Sequence, residues 1–559
     1  MDLGKGKKGI SSRWWKGIKR ISDISLSERP TFSGSWLMAS DGEHVIDKRK
    51  NMYVRTSISI NDDSSERTYI VDPYEYRMDT RKIEAVLGVM DRLRSSPPPQ
   101  EVLEDEMSLR GYVERKASSM LSSMNIGVKS IEVLSRIVAQ YSCGYGVLEH
   151  LLRDDRVQDI YIDAPSSERP VYVSLGGSIP IELQGNMRTN VSLSGPEMER
   201  IASILRYHSG RPFSETNPVL ECDLRFYNAR ATAVSPPLSA EGISLALRKH
   251  SHDPWTLVRL IGSGTLTPQA AAFLSLAVDG RSTMLIAGPR GAGKSSLLGA
   301  LLFEIDTSQR MIVIEDTPEL PLRSLNICGY KVLGLNVGSS ENSTADKALR
   351  TALRLGESVL VMGEVRGPET RTLYEAMSAG TAGSSVMGTF HADSASTVYK
   401  RAVEDMGVSP GSYSSTDLVV VTGLVQPKGS QIRLRRVVQI AELVKGGPPG
   451  VFRDLFIYDP LTDRTRPTSE LENSELLGRI TGLWGIDRKS VLKEHAIRTA
   501  VLAEAMEIFD KRQIARPETA ARIASSFRQV KETAIREDWM GDRNRFLESW
   551  KFTSGEVWG

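Results

Sequence analysis

The sequence predicts an α/β fold: a parallel sheet covered by helices on both faces, a smaller α/β domain before it, and a mostly helical extension after it. Three observations carry this. From residue 256 onward, short apolar runs at 284–287, 311–314, 358–362, 385–389 and 418–421 alternate with helical stretches. Strands of four to six apolar residues separated by helices indicate a parallel sheet buried on both sides. A glycine-rich turn joins the first of these runs directly to a helical pattern, and the last hundred residues read as mostly helical.

Taken in order, residues 1–50 read as a flexible basic tail. Within residues 1–20, Lys5, Lys7, Lys8, Arg13, Lys16, Lys19 and Arg20 stand against one acid, Asp2, beside Trp14-Trp15. Such a stretch is either solvated or rests on an anionic membrane face. Residues 51–255 read as the N-terminal α/β domain. Tyr53, Val54, Ile58, Ile60, Tyr69 and Ile70 suggest strands, and Ile131, Leu134, Val138, Tyr141 and Tyr145 fall on one helical face. Ser96-Pro97-Pro98-Pro99 breaks the helices around it. Further strands are expected at Asp159-Ile160-Tyr161-Ile162 and Val171-Tyr172-Val173, and a helix at 196–208. Residues 256–445 form the core with the parallel sheet, and 446–559 the helical extension, where Ile497, Val501, Ala505 and Ile508 repeat at helical spacing.

Composition narrows the function. With 559 residues, 40% hydrophobic and 25% charged, the chain is a soluble globular protein of several domains. A net charge of +2 gives no overall preference for a polyanion, so nucleic acid is not the expected partner. Cys143, Cys222 and Cys328 are too few and too scattered for a disulfide framework or a zinc knuckle, which points to a reducing compartment. No apolar run approaches the roughly 18–20 residues of a membrane span, and the N-terminus lacks the core of a signal peptide. A cytoplasmic location is expected.

The chemistry concentrates at one turn. The apolar run 284–287 leads into Gly288-Pro289-Arg290-Gly291-Ala292-Gly293-Lys294-Ser295-Ser296, followed by an apolar helical pattern. This is G-x-x-x-x-G-K-[ST] between strand and helix, the context in which glycines let backbone N–H groups cradle phosphates. The helix N-terminus adds its positive dipole end. Lys294 is expected to reach the β- and γ-phosphates of ATP and Ser295 to ligate Mg²⁺. An acid on a neighbouring strand is needed to hold the cation or its water. Glu364 ends one buried run and Glu315-Asp316 follows another, both where a parallel sheet opens its ligand crevice. His391 ends a further run and is either a structural histidine or a sensor of the γ-phosphate. Residue chemistry leaves open which glutamate activates water.

These segments resemble the boxes of one superfamily. Glu315-Asp316, Gly363-Glu364-Val365-Arg366-Gly367 and Thr389-Phe390-His391-Ala392-Asp393-Ser394 look like its Asp box, Walker B and His box, with Glu375 to Ser384 fitting between the last two. The superfamily is that of the type II/type IV secretion ATPases, which power secretion systems, type IV pili and the archaeal flagellum. Gly144-Tyr145-Gly146, Asp159-Ile160, Asn217-Pro218-Val219-Leu220 and Pro236-Pro237 extend the match upstream, most like the archaeal branch. The resemblance implies a RecA-like P-loop ATPase core in a hexameric ring of two-domain subunits, with nucleotide between the domains. It implies that Arg230 and Arg248 reach the phosphates from the N-terminal domain. It further implies that Glu315 orients or activates water, Glu364 serves Mg²⁺ and His391 senses γ-phosphate. The expected work is assembly of a type IV pilus-like filament or protein secretion, at a polytopic platform protein on the inner face of the membrane, with pilin-like or secreted substrates engaged indirectly.

Some residues depart from the pattern. Ser295-Ser296 replace the usual pair of threonines, still supplying a hydroxyl, and the four-cysteine zinc element and the pilus-retraction motif of other members are missing. The competing readings are a RecA-like nucleic-acid translocase and an ATP-binding interaction protein that does not hydrolyse. The near-zero net charge speaks against the first, and Glu315, Glu364 and His391 against the second.

Overall fold

The computed structural model describes residues 43–50, 53–61, 67–103, 105–124, 126–176, 185–249, 254–316, 319–337, 344–356, 359–378, 385–429, 433–446, 448–508 and 516–555. Trp14-Trp15 and the basic tail up to residue 42 lie outside the described residues, as does 379–384 between the last two boxes. The chain divides into two compact units, Met1–His252 and Asp253–Gly559.

The first unit is built on a nine-stranded sheet. Its strands are β1 (Glu43–Lys50), β2 (Val54–Asn61), β3 (Arg67–Pro73), β4 (Val157–Ile162), β5 (Tyr172–Leu175), β6 (Gly185–Thr189), β7 (Val219–Leu224), β8 (Ala229–Val234) and β9 (Ser244–Lys249). They lie in the order β1-β2-β3-β6-β5-β4-β9-β8-β7. Only β3 and β6 pair in parallel. Alternation follows from one buried face: Ala229, Ala231 and Ala233 of β8 are buried while Arg230, Thr232 and Val234 between them are partly exposed. Helices Thr80–Arg94 and Glu106–Ser122 start at Asp79 and Asp105, whose carboxylates accept the N–H groups of Lys82 and Ser108. Helix Val128–Ser142 buries Leu134 and Val138 as its periodicity predicts.

The second unit carries the parallel sheet. Strands β10 (Met284–Ala287), β11 (Arg310–Glu315), β12 (Lys331–Asn336), β13 (Val359–Val365), β14 (Ser385–Phe390) and β15 (Leu418–Val425) are followed by β16 (Leu434–Leu443), β17 (Phe452–Asp459) and β18 (Arg464–Pro467). The order is β12-β11-β13-β14-β10-β15-β16-β17-β18. The first six are parallel and the last three antiparallel, so the sheet runs on past residue 445. Alternate strand residues feed two cores. Met284, Ile286, Met311, Val313, Val359 and Val361 enter one, and Leu285, Ala287, Ile312, Ile314, Leu360 and Met362 the other. That two-sided burial is why these strands read as unbroken apolar runs.

The C-terminal part is helical from Glu475: Glu475–Trp484, Arg488–Ile508, Pro517–Arg536 and Arg543–Gly555. Ile497, Val501 and Ala505 enter the first core, whereas Ile508 at the helix end is half exposed. A buried polar cluster ties these helices to the segments that carry Ser275, Asp279 and Glu304. The Arg498 guanidinium meets Asp279, bonds Glu494 at 2.8 Å and donates to the Ser275 hydroxyl at 2.8 Å. Ser275 donates to Glu304 at 2.7 Å, and Lys531 reaches Glu494 at 2.8 Å. No helix among the described residues is long and apolar enough to cross a membrane.

Candidate active site

The second unit gathers its reactive groups at the carboxyl edge of the parallel strands, because neighbouring strands end in register. Ala287 of β10 pairs with Phe390 of β14, and Met362 of β13 pairs with both Gly388 of β14 and Ile314 of β11. The residues that follow, Gly288, His391, Glu364 and Glu315, therefore emerge along one edge.

The turn after β10 is shaped by close approach and by a left-handed backbone. A Cβ at Gly288 would lie 2.4 Å from Oγ1 of Thr422 and 2.5 Å from its carbonyl oxygen, so only glycine lets β15 come this near. Gly293 caps the helix Lys294–Leu302 at φ 92, which side chains rarely adopt. The Lys294 ammonium donates to the carbonyls of Gly288 and Pro289, both at 3.0 Å, folding over the loop that it is expected to share with phosphate. Ser295 donates to Oε2 of Glu319 at 2.6 Å.

Glu315 ends β11 with only 3% of its surface exposed. Its Oε1 accepts the peptide N–H groups of Glu319 and Leu320, each at 2.9 Å. Its Oε2 is buried with no hydrogen-bond partner among the described residues. Burial pushes this carboxyl up to about 7, although the two N–H groups favour the anion. Gly363 leaves room for it: a Cβ there would lie 2.9 Å from Cγ of Glu315. Glu364 points outward and meets Nη1 of Arg366 at 3.3 Å, while the same guanidinium contacts Asp316. Arg366 thereby ties the two acidic segments together. His391 is exposed, and its carbonyl accepts from Arg401.

A nucleotide with Mg²⁺ fits these groups. Gly288 and Gly293 give the turn a shape that other side chains would not tolerate, Lys294 folds over it, and the Ser295 hydroxyl lies against the Glu319 carboxylate. Among the described residues no group of three or more His, Cys, Asp or Glu could hold a metal by itself. Mg²⁺ in phosphate sites is held by one or two protein oxygens plus phosphates and water, so no all-protein cage is required. Ser295 and Glu364, with Glu319 at 2.6 Å from Ser295, are the oxygens that would hold it.

Arg230 and Arg248 lie in the first unit, directly opposite one another on β8 and β9. Opposed like charges on one sheet face are unfavourable. Each has an acid nearby, Glu221 at 2.7 Å and Asp159 at 3.9 Å.

Two participants were not read from the sequence. Glu319 was detectable as a third acid in Glu315-Asp316-Thr317-Pro318-Glu319. Arg435 had no local signal: it comes from β16, 144 residues from Gly291, whose carbonyl it holds at 2.9 Å.

A family model described as type II/IV secretion system protein matches residues 221–445. A Mycobacterium tuberculosis protein provisionally named for conjugal transfer is 30% identical over 324 residues, 56% of this chain and 88% of its own length. The type IV secretion system protein PtlH of Bordetella pertussis is 27% identical over 289 residues, 46% of this chain and 84% of its own. The X-ray structure of the Legionella pneumophila ATPase DotB aligns at 17% identity and TM-score 0.39, over 65% of this chain and 92% of that one.

Proposed function

The chain belongs to the type II/IV secretion system protein family, and from that premise we propose that it is a motor ATPase hydrolysing Mg²⁺–ATP to drive filament assembly or protein secretion. One observation carries the reading: a phosphate loop with Lys294 and Ser295 lies on the sheet edge where one oxygen of the buried Glu315 has no hydrogen-bond partner among the described residues.

Bound Mg²⁺ would offset the charge of the phosphates and orient them. Lys294 exchanges the carbonyls of Gly288 and Pro289 for the β- and γ-phosphates. Gly288, Pro289, Arg290, Gly291, Ala292, Gly293 and Ser296 complete the cradle. Oε2 of Glu315 takes a proton from the attacking water, a task suited to a carboxylate raised to about 7. Glu364 holds the cation's side of the site, and His391 reports the γ-phosphate. Arg230 and Arg248 supply the positive charge that phosphoryl transfer needs in its transition state.

Delivery of those arginines by a separate unit couples turnover to closure, which suits a homohexamer. The ring would work at the cytoplasmic face of the membrane against a polytopic platform protein, acting on pilin-like or secreted substrates through it.

The test is Lys294→Ala in the full chain. Hydrolysis should vanish with the thermal unfolding midpoint unchanged, and a well-folded variant turning over ATP at the wild-type rate overturns the reading.

A further inference from the structure

The phosphate loop is held from outside its own strand–turn–helix unit. Arg435, the second residue of β16, donates its Nε–H to the Gly291 carbonyl at 2.9 Å. Its Cδ lies 3.4 Å from where a Cβ on Gly293 would stand, so its stem runs over the loop. Arg435 sits opposite Leu424 of β15, the strand that flanks β10 on the other side from β14. None of the four motifs contains it.

A trans peptide is planar, so its C=O and N–H point opposite ways. Holding the Gly291 carbonyl outward therefore turns the Ala292 N–H inward. There it donates to the Pro289 carbonyl at 3.3 Å, the same oxygen that Lys294 contacts at 3.0 Å. Lys294 and the Ala292 N–H thus converge on one acceptor inside the loop. Gly291, with φ 79 and no Cβ, gives this peptide little resistance to flipping. A flip would present a carbonyl to an anion. The planar guanidinium donates along a fixed direction, which a flexible ammonium does not.

We propose that Arg435 is a positioning residue of the nucleotide site, locking the Gly291–Ala292 peptide so that its N–H faces the phosphates. The proposal rests on the ATPase reading above. It assigns to β16, an antiparallel addition to the parallel sheet, a part in nucleotide affinity.

The experiment compares full-length wild type, Arg435→Met, which keeps the stem over Gly293, Arg435→Ala and Arg435→Lys. Binding is read with a fluorescent ATP analogue and turnover by steady-state ATP hydrolysis. Loss of one positioned hydrogen bond to a charged group should raise Kd and KM roughly tenfold in the Met and Ala variants, with kcat within about threefold. Lys should recover only part of the affinity, because it restores charge without the directed Nε–H. Thermal unfolding should match wild type; if one of Met and Ala folds poorly, the other decides. A KM within about twofold of wild type in the folded variants overturns the proposal. So does a loss confined to kcat, or full rescue by Lys. A wild-type chain that fails to bind ATP brings down the functional reading as well, whereas binding that is indifferent to Arg435 removes this inference alone.

Discussion

The Ser295 hydroxyl donates to Oε2 of Glu319 at 2.6 Å, and the Glu319 peptide N–H donates at 2.9 Å to Oε1 of Glu315. One residue thus links the phosphate loop to the buried acid. Its side chain holds the group expected to meet Mg²⁺, while its backbone aims the carboxylate expected to meet water. Glu319→Gln removes the charge from the first contact and leaves the second intact. Turnover should fall about tenfold or more, the scale of a lost hydrogen bond to a charged group, and half-maximal activity should need more Mg²⁺. An unaltered Mg²⁺ titration in this variant would show that Glu319 is a bystander.

Glu315 should behave as a base that must be ionised. Because burial raises its carboxyl to about 7, it is protonated and inactive below that pH and ionised above it. In the free enzyme kcat/KM should therefore climb with pH through about 7. Glu315→Gln should still bind ATP, since the residue is outside the cradle, while hydrolysis drops by roughly two orders of magnitude. Glu364→Gln should bind and fail in the same way. The decisive pair of measurements is the pH profile of kcat/KM in wild type and single-turnover hydrolysis in each variant; wild-type rates in both would reassign the acids.

Arg230 and Arg248 stand opposite each other on β8 and β9, and their value should lie in the transition state. Alanine at either position should lower kcat far more than it weakens ATP binding. If a neighbouring subunit completes the site, specific activity should rise with protein concentration as rings form. Activity per subunit that is flat across the oligomerisation range, checked by light scattering, would leave the ring without a catalytic role.

Arg498 offers a test of stability apart from catalysis. Its guanidinium, 5% exposed, answers Asp279 and Glu494, which are 14% and 3% exposed. Arg498→Ala leaves Glu494 with Lys531 at 2.8 Å and Asp279 with Arg528 at 3.4 Å but removes the cation shared by both, and should cost on the order of 1.5–3 kcal/mol, the scale of lost hydrogen bonds to charged groups. Chemical denaturation should show the loss as a lower midpoint in the second unit. A midpoint unchanged from wild type would mean that the C-terminal helices are not fastened to the core through this cluster.

The sequence by itself determined the parts whose physics is local. Gly288 to Ser296 is contiguous, and a strand, a glycine turn and a helix start are enough to mark an expected phosphate cradle. Strands β10, β11, β13, β14 and β15 were legible because burial on both faces makes most of their residues apolar. Strand β12 at the sheet edge was missed because exposed and half-buried residues alternate along it without a buried run, and β16 to β18 because they add antiparallel pairs after the parallel pattern ends.

The tertiary structure decided what depends on pairing at a distance. Glu315 has a raised carboxyl because it is buried at the end of β11, beside Gly363 of the neighbouring β13, which no spacing in the sequence encodes. Arg230 faces Arg248 through strand register, and Arg435 reaches Gly291 only because β16 pairs with β15. Periodicity shows which face of an element is apolar. It does not show which partner that element meets, because hydrogen-bond register and packing select the partner only once the whole sheet is assembled.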